Sequence, residues 1–317
     1  MSITTRTRRN LLSWILSGAC LSLALLIKPV QDRVQARLGE RTIVSDQLYF
    51  GSPAAVKKLS LGYEGMIADL YWMRTIQYYG RREEADRRPV RYKNLATLLD
   101  ITTTLDPDLL DAYRVGSIFL SEPDPVGAGQ PEEAIRLLDK GFRRHPADWH
   151  FGFDKGFVYF WYVKDLKSAG ETWLAASRLP SAPHWMAALA AMAFSKSGAM
   201  DMAKALWQRQ YQESSRADVK DNARNHLLSI QVAEDLWTLE YLLKKYHQRT
   251  GRFPQKLENL VGEGWLRYIP TDPLGTPYVY DRQNGMASLS PQTKVRFLRV
   301  PDAYRDAFME SLARTYK

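Results

Sequence analysis

The sequence predicts a mainly α-helical protein in which repeated helical hairpins follow an N-terminal transmembrane helix and precede a small α+β module. Three observations predict this order. An uncharged, strongly apolar run occupies 11–27. A helical pattern with an internal period of 34 residues fills most of 61–249, as is typical of stacked helical hairpins. Beyond that region, Gly, Pro and short apolar runs indicate turns and strands. The expected segments are an anchor at 1–30, a linker at 31–60, a repeat domain at 61–249 and a C-terminal module with a tail helix at 250–317.

The composition is that of a globular chain. Its 317 residues, 45% of them apolar and 25% charged, exclude global disorder, a collagen-like fibre and a protein with many membrane spans. A single cysteine cannot form an internal disulfide, and five scattered histidines offer little material for a structural zinc site. We therefore expect no cofactor and no bound metal.

The net charge of +9 would fit a nucleic-acid partner, but its distribution does not. Residues 1–60 hold nine basic and three acidic side chains around the apolar run, whereas the rest of the chain holds 35 and 32. Because that larger part is close to neutral, no basic face need form on it. We expect no nucleic-acid partner.

Residues 11–27, LLSWILSGACLSLALLI, form the predicted membrane segment. As a helix they would extend about 26 Å, slightly less than a hydrocarbon core of about 30 Å, and Lys28 can reach the interface to close the difference. Three interpretations compete: a cleaved signal peptide, a lipoprotein signal at Cys20 and an uncleaved anchor. A lipoprotein signal needs a large aliphatic residue where Ser17 stands, and its apolar run would end at the cysteine. The sequence therefore favours the anchor.

Basic residues flank this segment on both sides, and they predict its orientation. Arg6, Arg8 and Arg9 form a compact cluster before it, and further basic residues follow it within 28–37. Because basic clusters remain on the cytoplasmic side, the first cluster favours a cytoplasmic N-terminus. The expected location is the bacterial inner membrane, crossed once, with the body of the chain in the periplasm.

The repeat is carried by small and bulky residues that recur with a spacing of 34. The recurring sets are Ala169-x-x-x-Trp173 and Ala203-x-x-x-Trp207, Gly156-x-x-Tyr159 and Ala190-x-x-Ala193, and Pro146 and Pro180. Small residues let the helices of a hairpin approach closely, bulky residues fill the gaps between hairpins, and proline ends each unit. This pattern resembles tetratricopeptide repeats (TPR), with three units over 108–214, a degenerate hairpin at 61–105 and capping helices within 218–249.

The first hairpin contains GYEGMIADLYWMRTIQYYG at 62–80, and LDITTTLDP follows at 99–107. Together these segments look like a family of bacterial membrane-anchored TPR proteins without an assigned activity. Apolar residues at helical spacing predict the core of this N-terminal cap: Leu70, Trp72, Met73, Ile76 and Tyr79. The polar residues Asp69, Arg74 and Gln77 of the same segment are candidates for a partner-binding face.

The helix predicted at 149–162 is unusually aromatic, with eight Trp, Phe and Tyr residues. A helix within a repeat array contacts neighbours on two sides, so most of these rings are expected in the core. The others would line the groove in which such repeats hold a partner peptide or helix, and the candidates are Phe157, Phe160 and Trp161. His150 and His184 fall one period apart and are interpreted as repeat positions, not as a metal pair.

The C-terminal module combines a predicted hairpin with a recognisable segment. Asn284-Gly285 lies between two short apolar runs and predicts a β-turn, and 301–317 predicts a short amphipathic helix. The segment IPTDPLGTPY at 269–278, with GRFP at 251–254 upstream, resembles the motif that follows the long helix in major pseudopilins of type II secretion. The acidic calcium loop of that family is missing, so we carry over no calcium ligands and interpret Asp272 and Asp281 as turn residues.

This module is too short to hold an independent core without disulfides or metal. We therefore expect it to pack against the last repeat helix, with contacts among Tyr241, Tyr246, Phe253, Leu257, Leu260, Trp265 and Tyr268. It would either cap the repeat array or also dock a partner. Thr276 and Arg282 are the candidate docking residues.

Sequence motifs of common enzyme classes do not occur, and pairs of carboxylates such as Glu83 and Glu84 are interpreted as solvated surface charges. The sequence predicts a non-enzymatic, membrane-tethered TPR scaffold that mediates protein–protein interactions. Its partners would be subunits of a bacterial envelope machine, namely secretion, type IV pilus assembly or an associated exporter. The alternative is an extracytoplasmic binding module that captures a peptide or a polysaccharide in an aromatic groove. Neither interpretation identifies the partner or the oligomeric state.

Overall fold

The computed structural model describes residues 51–80 and 92–316, together with the isolated positions Gly18, Ser22, Lys28, Pro29, Val30, Asp32 and Arg33. Apart from Gly18 and Ser22, the predicted anchor at 11–27 lies outside the described residues. Within the described ranges, no helix combines the length and the apolar character needed to cross a membrane.

The described part of the chain is mainly helical with one small sheet, which confirms the mainly α fold class. The helices up to residue 213 are α1 (Pro53–Leu59), α2 (Glu64–Tyr79), α3 (Leu95–Leu105), α4 (Leu110–Ser121), α5 (Pro131–Arg144), α6 (Trp149–Val158), α7 (Leu166–Ala176), α8 (Met186–Ser197) and α9 (Met200–Glu213). They are followed by α10 (Ala217–Thr250), α11 (Glu258–Gly262), β1 (Val279–Asp281), β2 (Met286–Ser288) and α12 (Asp302–Thr315). A π-helical turn, Tyr159–Val163, extends α6.

The chain divides into two compact units. Among the described residues, the N-terminal unit comprises 51–80, 92–106 and 123–128, and the C-terminal unit comprises 107–122 and 129–316. The residues assigned to one repeat domain at 61–249 are therefore divided between both units. Helix α1 lies within the segment that the sequence assigns to a linker.

In the N-terminal unit, α1 and α2 both pack against α3, and Val56, Ala68 and Ile101 from the three helices form the core. The structure corrects the prediction for α2. Three of the five predicted core residues, Leu70, Met73 and Ile76, are exposed, because α2 buries the opposite face that contains Ala68. The other two, Trp72 and Tyr79, are half-buried. A helical pattern shows which residues share a face, but it does not show which face meets the neighbouring helix.

In the C-terminal unit, the helices from α4 to α10 pack in chain order, each against the next, and α4 also contacts α6. The small residues at the predicted helix crossings are all buried: Gly156, Ala169, Ala190 and Ala203. Gly116 and Ala134 of the preceding hairpin are buried as well. Trp173 and Trp207, predicted at equivalent positions, are 2% and 1% exposed. Their predicted burial is confirmed.

Glycines bring neighbouring helices of this unit into direct contact. A Cβ atom at Gly156 on α6 would lie 2.3 Å from Nε1 of Trp173 on α7. A Cβ atom at Gly141 on α5 would lie 2.2 Å from the ring of Phe151 on α6. Because no side chain fits at such distances, these crossings are closer than any other residue permits.

The C-terminal module packs on the long helix α10, as the sequence predicts. Tyr246 of α10 is buried in one cluster with Leu257, Leu260 and Tyr278. The predicted contact Tyr268 is 73% exposed instead. Leu266 and Ile269, which precede and follow it, pack against the cluster in its place.

The hairpin and the tail helix predicted for this module are both present. Strands β1 and β2 are antiparallel, with Tyr280 opposite Ala287. Helix α12 packs against α10, where the rings of Tyr304 and Phe308 lie 5.7 and 5.8 Å from the ring of Trp237. Strand β2 also packs against α10, so both elements are supported by this helix.

Candidate functional site

The strongest candidate site lies on α6 and the π-helical turn that extends it. The helix begins after Asp148, whose carboxylate accepts a hydrogen bond from the backbone N–H of His150 at 3.0 Å. The π-helical turn ends at Lys164, whose φ of 64° is in the left-handed region. Such turns are rare and frequently occur at functional sites. This one lies within the aromatic run that the sequence singles out.

One side of this helical segment carries rings at intervals of four residues, and we name Trp149, Phe153, Phe157 and Trp161 the aromatic face. The ring centroids of Trp149 and Phe153 are 6.2 Å apart, and those of Phe157 and Trp161 are also 6.2 Å apart. These separations suit side chains one helical turn apart. Trp185, which precedes α8, packs edge-on against Trp149 and Phe153. It closes the N-terminal end of the face.

The exposure of the aromatic face increases toward its C-terminal end. Trp149 and Phe153 are half-buried, whereas Phe157 is 37% exposed and Trp161 is 52% exposed. Adjacent large apolar groups on a surface are typical of interaction sites, unlike single exposed ones. This end of the face is therefore the part that can contact a partner.

Two lysines lie over the exposed end. Nζ of Lys164 is 5.3 Å from the ring centroid of Trp161, and Nζ of Lys196 on α8 is 5.1 Å from that of Phe160. Both distances permit cation–π attraction. Both lysines are exposed, and neither forms an ion pair with a residue that the structure describes.

Sequence reasoning did not identify these lysines. Lys164 lies two residues after Tyr162, the last ring of the aromatic run, and that proximity is a signal that could have found it. Lys196 carries no such signal, because it reaches the site only through the packing of α8 next to the preceding hairpin.

The middle of α6 is joined to α4 by a partly buried ion pair. Nε of Arg114 donates a hydrogen bond to Oδ2 of Asp154 at 2.6 Å. Burial raises the pKa of Asp154, and the Arg114 guanidinium opposes that shift. Because this contact joins two helices, it holds the aromatic face on a rigid element.

No group of three or more His, Cys, Asp or Glu side chains that could hold a metal occurs in the part of the chain that the structure describes. The ring of His150 stacks on Trp149 and approaches Asp148, and His184 is exposed shortly before α8. Each histidine thus lies near the start of the first helix of its hairpin, as repeat positions should.

Three predicted binding residues, Phe157, Phe160 and Trp161, come together at this site. The ring of Trp161 lies 6.2 Å from that of Phe157 and 5.4 Å from that of Phe160. Phe160, however, is only 8% exposed and packs against Trp173. It is a core residue that supports Trp161, not a groove residue as predicted, because the π-helical turn directs it toward α7.

The predicted residues of the N-terminal unit form a different surface. Asp69 and Gln77 are exposed on α2, and Arg74 is half-buried. The same side of α2 also exposes large apolar residues: Met66, Leu70, Met73 and Ile76. This surface is therefore mainly apolar, and sequence reasoning missed it by assigning most of these residues to the core.

The predicted docking residues of the C-terminal module lie near its hairpin. The backbone N–H of Thr276 donates to the Asp272 carboxylate at 2.8 Å, and Arg282 is exposed in the turn after β1. Asp272 also accepts hydrogen bonds from Leu274 and Thr293, and Asp281 accepts them within its own turn. Both aspartates are turn residues, as predicted.

A cavity of about 380 Å³ lies where α5, α6 and α7 meet. Phe151 forms part of its wall, and its rim carries Lys155, Asp139 and Glu171. Lys155 pairs with Asp139 at 2.7 Å, and Glu171 lies 3.9 Å from Lys167. Because these charged groups are already paired, they are less available to a ligand. The exposed end of the aromatic face is therefore the stronger candidate site.

Comparisons of the chain with protein-family models, with curated proteins and with solved structures return no match. The fold and the site define a mainly α-helical protein with an exposed aromatic face on a rigid helix. The function must be inferred from that face.

Proposed function

We propose that this protein is a non-enzymatic, membrane-tethered scaffold of TPR-like hairpins that brings together protein components of a bacterial envelope machine. The observation that carries the proposal is the exposed end of the aromatic face, where Phe157 and Trp161 lie side by side in solvent. Exposed aromatic rings on a rigid support are typical of the centres of protein interfaces.

The order of helix packing supports the TPR-like architecture. Each helix from α4 to α10 packs against its neighbour in the chain, and α4 also contacts α6, the first helix of the following hairpin. Trp173 and Trp207 are buried one period apart. Contacts between neighbouring units are the basis of stability in repeat proteins.

The membrane tether and the envelope machine rest on the sequence. The apolar run at 11–27 follows Arg6, Arg8 and Arg9, which favours a body on the periplasmic side. The pseudopilin-like segment at 269–278 makes secretion, pilus assembly or an associated exporter the favoured setting. An alkaline phosphatase fused to the C-terminus should be active in a bacterial host, whereas activity of a cytoplasmic reporter alone would contradict the orientation.

A second candidate function is the capture of a polysaccharide. The half-exposed indole of Trp161 favours it, because sugar rings stack on flat aromatic surfaces. Retention of the full chain on immobilised glycans would support this function, and recovery of protein subunits would support the scaffold.

The scaffold is tested by purifying the tagged full chain from detergent-solubilised membranes. The Phe157→Ala/Trp161→Ala variant should lose secretion or pilus subunits that the unmodified chain recovers. Tyr268→Ala is the matched control, because it removes another exposed ring that lies outside the aromatic face. Equal recovery with both variants, or no such subunits with the unmodified chain, would contradict the proposal.

A further inference from the structure

We propose that the exposed end of the aromatic face binds an acidic segment of a protein partner. Apolar side chains of that segment would lie on Phe157 and Trp161, and its carboxylates would meet Lys164 and Lys196. This inference rests on the proposed scaffold function and specifies the chemistry of the partner. It follows from the charges that surround the face.

The two ammonium groups lie over two rings that contact each other, the exposed Trp161 and the buried Phe160. Nζ of Lys164 lies 5.3 Å from the centroid of Trp161, that ring lies 5.4 Å from Phe160, and Phe160 lies 5.1 Å from Nζ of Lys196. A peptide that covers Trp161 is therefore within reach of both ammonium groups.

The positive charge of these lysines is not neutralised by the residues that the structure describes. Two lysines elsewhere in the same unit are paired instead: Lys155 with Asp139, and Lys204 with Glu234. A lysine over a ring remains available to an anion, since the ring holds the ammonium group without neutralising its charge.

The acidic groups near the face are engaged elsewhere. Asp154 is paired with Arg114, and Asp165 accepts hydrogen bonds from the backbone and the hydroxyl of Ser168 at the start of α7. Glu122 lies close enough to add to the effect of burial in raising the pKa of Tyr162, and it has interactions of its own. Among the described residues, none of these carboxylates forms an ion pair with Lys164 or Lys196, so both ammonium groups can meet the carboxylates of an acidic partner.

Rings and charges would contribute differently to binding. Exposed ion pairs stabilise weakly in water, so contact with Phe157 and Trp161 provides most of the affinity. The lysines select acidic over neutral or basic sequences and make binding depend on salt. A neutral glycan would stack on Trp161 but would gain nothing from the two ammonium groups.

The test uses the full chain in phosphatidylcholine nanodiscs, which have no net charge, and isothermal titration calorimetry. The probe is a short synthetic peptide in which pairs of glutamates alternate with Phe-Leu. Two matched peptides carry glutamine or lysine in place of glutamate. The acidic peptide should bind about tenfold more tightly than the glutamine peptide at low salt, and high salt should remove this preference.

Variants then assign the effect to the lysines. Lys164→Glu/Lys196→Glu should lose about tenfold in affinity for the acidic peptide, whereas Lys256→Glu, the same change at an exposed site in the C-terminal module, should retain it. Lys164 has a left-handed backbone conformation, and its substitution could disturb folding. In that case Lys196→Glu alone still tests the inference. Equal binding of all three peptides, unchanged affinity in the lysine variants, or preferential binding of a neutral hexasaccharide would overturn the inference.

The inference and the scaffold function can fail separately. If Trp161→Ala abolishes subunit recovery from membranes while the lysine variants retain it, the scaffold stands and the acidic partner is rejected. If the unmodified chain recovers no envelope subunit, the scaffold fails, and the peptide titrations still decide whether the face selects acidic sequences.

Discussion

Phe160 and Trp161 are neighbours in the chain, yet the first is buried and the second is half exposed, with their ring centroids 5.4 Å apart. Phe160 packs against Trp173 of the next helix, and Trp161 lies under the ammonium group of Lys164. The π-helical turn thus divides adjacent rings between the core and the surface, and the buried ring supports the exposed one.

This relationship predicts opposite effects of two truncations. Phe160→Ala should lower the free energy of unfolding by about 3–5 kcal/mol, because it leaves a cavity against Trp173. Trp161→Ala should change that free energy by less than about 1 kcal/mol and should weaken only partner binding. Urea titration monitored by circular dichroism measures both changes. Similar losses of stability in the two variants would show that Trp161 is also a core residue.

The repeat register predicts equivalent roles for two tryptophans. Because Trp173 and Trp207 are both buried, replacement of either by alanine should cost about 3–5 kcal/mol of unfolding free energy. Trp161→Ala is the control, since Trp161 is 52% exposed and its truncation should cost much less. If Trp173→Ala and Trp207→Ala each cost under about 1 kcal/mol, the proposed register would be wrong.

The close contact between α6 and α7 predicts that one added methyl group lowers the free energy of unfolding. Gly156→Ala would place a Cβ atom 2.3 Å from the Trp173 indole, and the resulting overpacking should cost about 1–3 kcal/mol. Gly65→Ala in α2 meets no atom within 4 Å and should stabilise by up to about 1 kcal/mol, because alanine favours helix. The thermal midpoints of the two variants should therefore move in opposite directions. A shift in the same direction would mean that α6 and α7 are less tightly packed than the structure indicates.

The sequence predicts packing best where one repeat determines the next. The small residues Ala169 and Ala203, each followed by tryptophan four positions later, predict buried helix crossings from local spacing alone. Leu70 was misplaced because helical spacing defines a shared face without defining its neighbour. The approach of Lys196 to Phe160 was not predictable, since it depends on how one hairpin packs on the next.

The exposed side of α2 should tolerate charged substitutions, whereas the core of the same unit should not tolerate truncation. Leu70→Glu and Met73→Glu change exposed positions and should alter the free energy of unfolding by no more than about 0.5 kcal/mol. Ile101→Ala, at a fully buried position of the same unit, should cost about 2–5 kcal/mol. Chemical denaturation of the full chain measures these differences. Strong destabilisation by Leu70→Glu would mean that another part of the protein covers this side of α2.

Titration of His226 predicts how stability changes with pH. The imidazole stacks on Trp207, with ring centroids 4.1 Å apart, and burial lowers its pKa below the ordinary value of 6.5. The unfolded chain therefore takes up a proton at pH values where the folded chain still holds neutral His226. The stability that neutral His226 contributes is fully present above pH 6.5. It decreases as the pH falls from there toward the lower pKa of the folded state.

His226→Gln should remove this component, so the free energy of unfolding should depend less on pH just below pH 6.5 than it does in the unmodified chain. His184→Gln is the matched control, because it makes the same change at an exposed histidine near the start of α8. Urea titrations above and below pH 6.5 compare the three proteins. An identical pH dependence for His226→Gln and the unmodified chain would show that His226 is accessible to protons in the folded state, in conflict with its burial against Trp207.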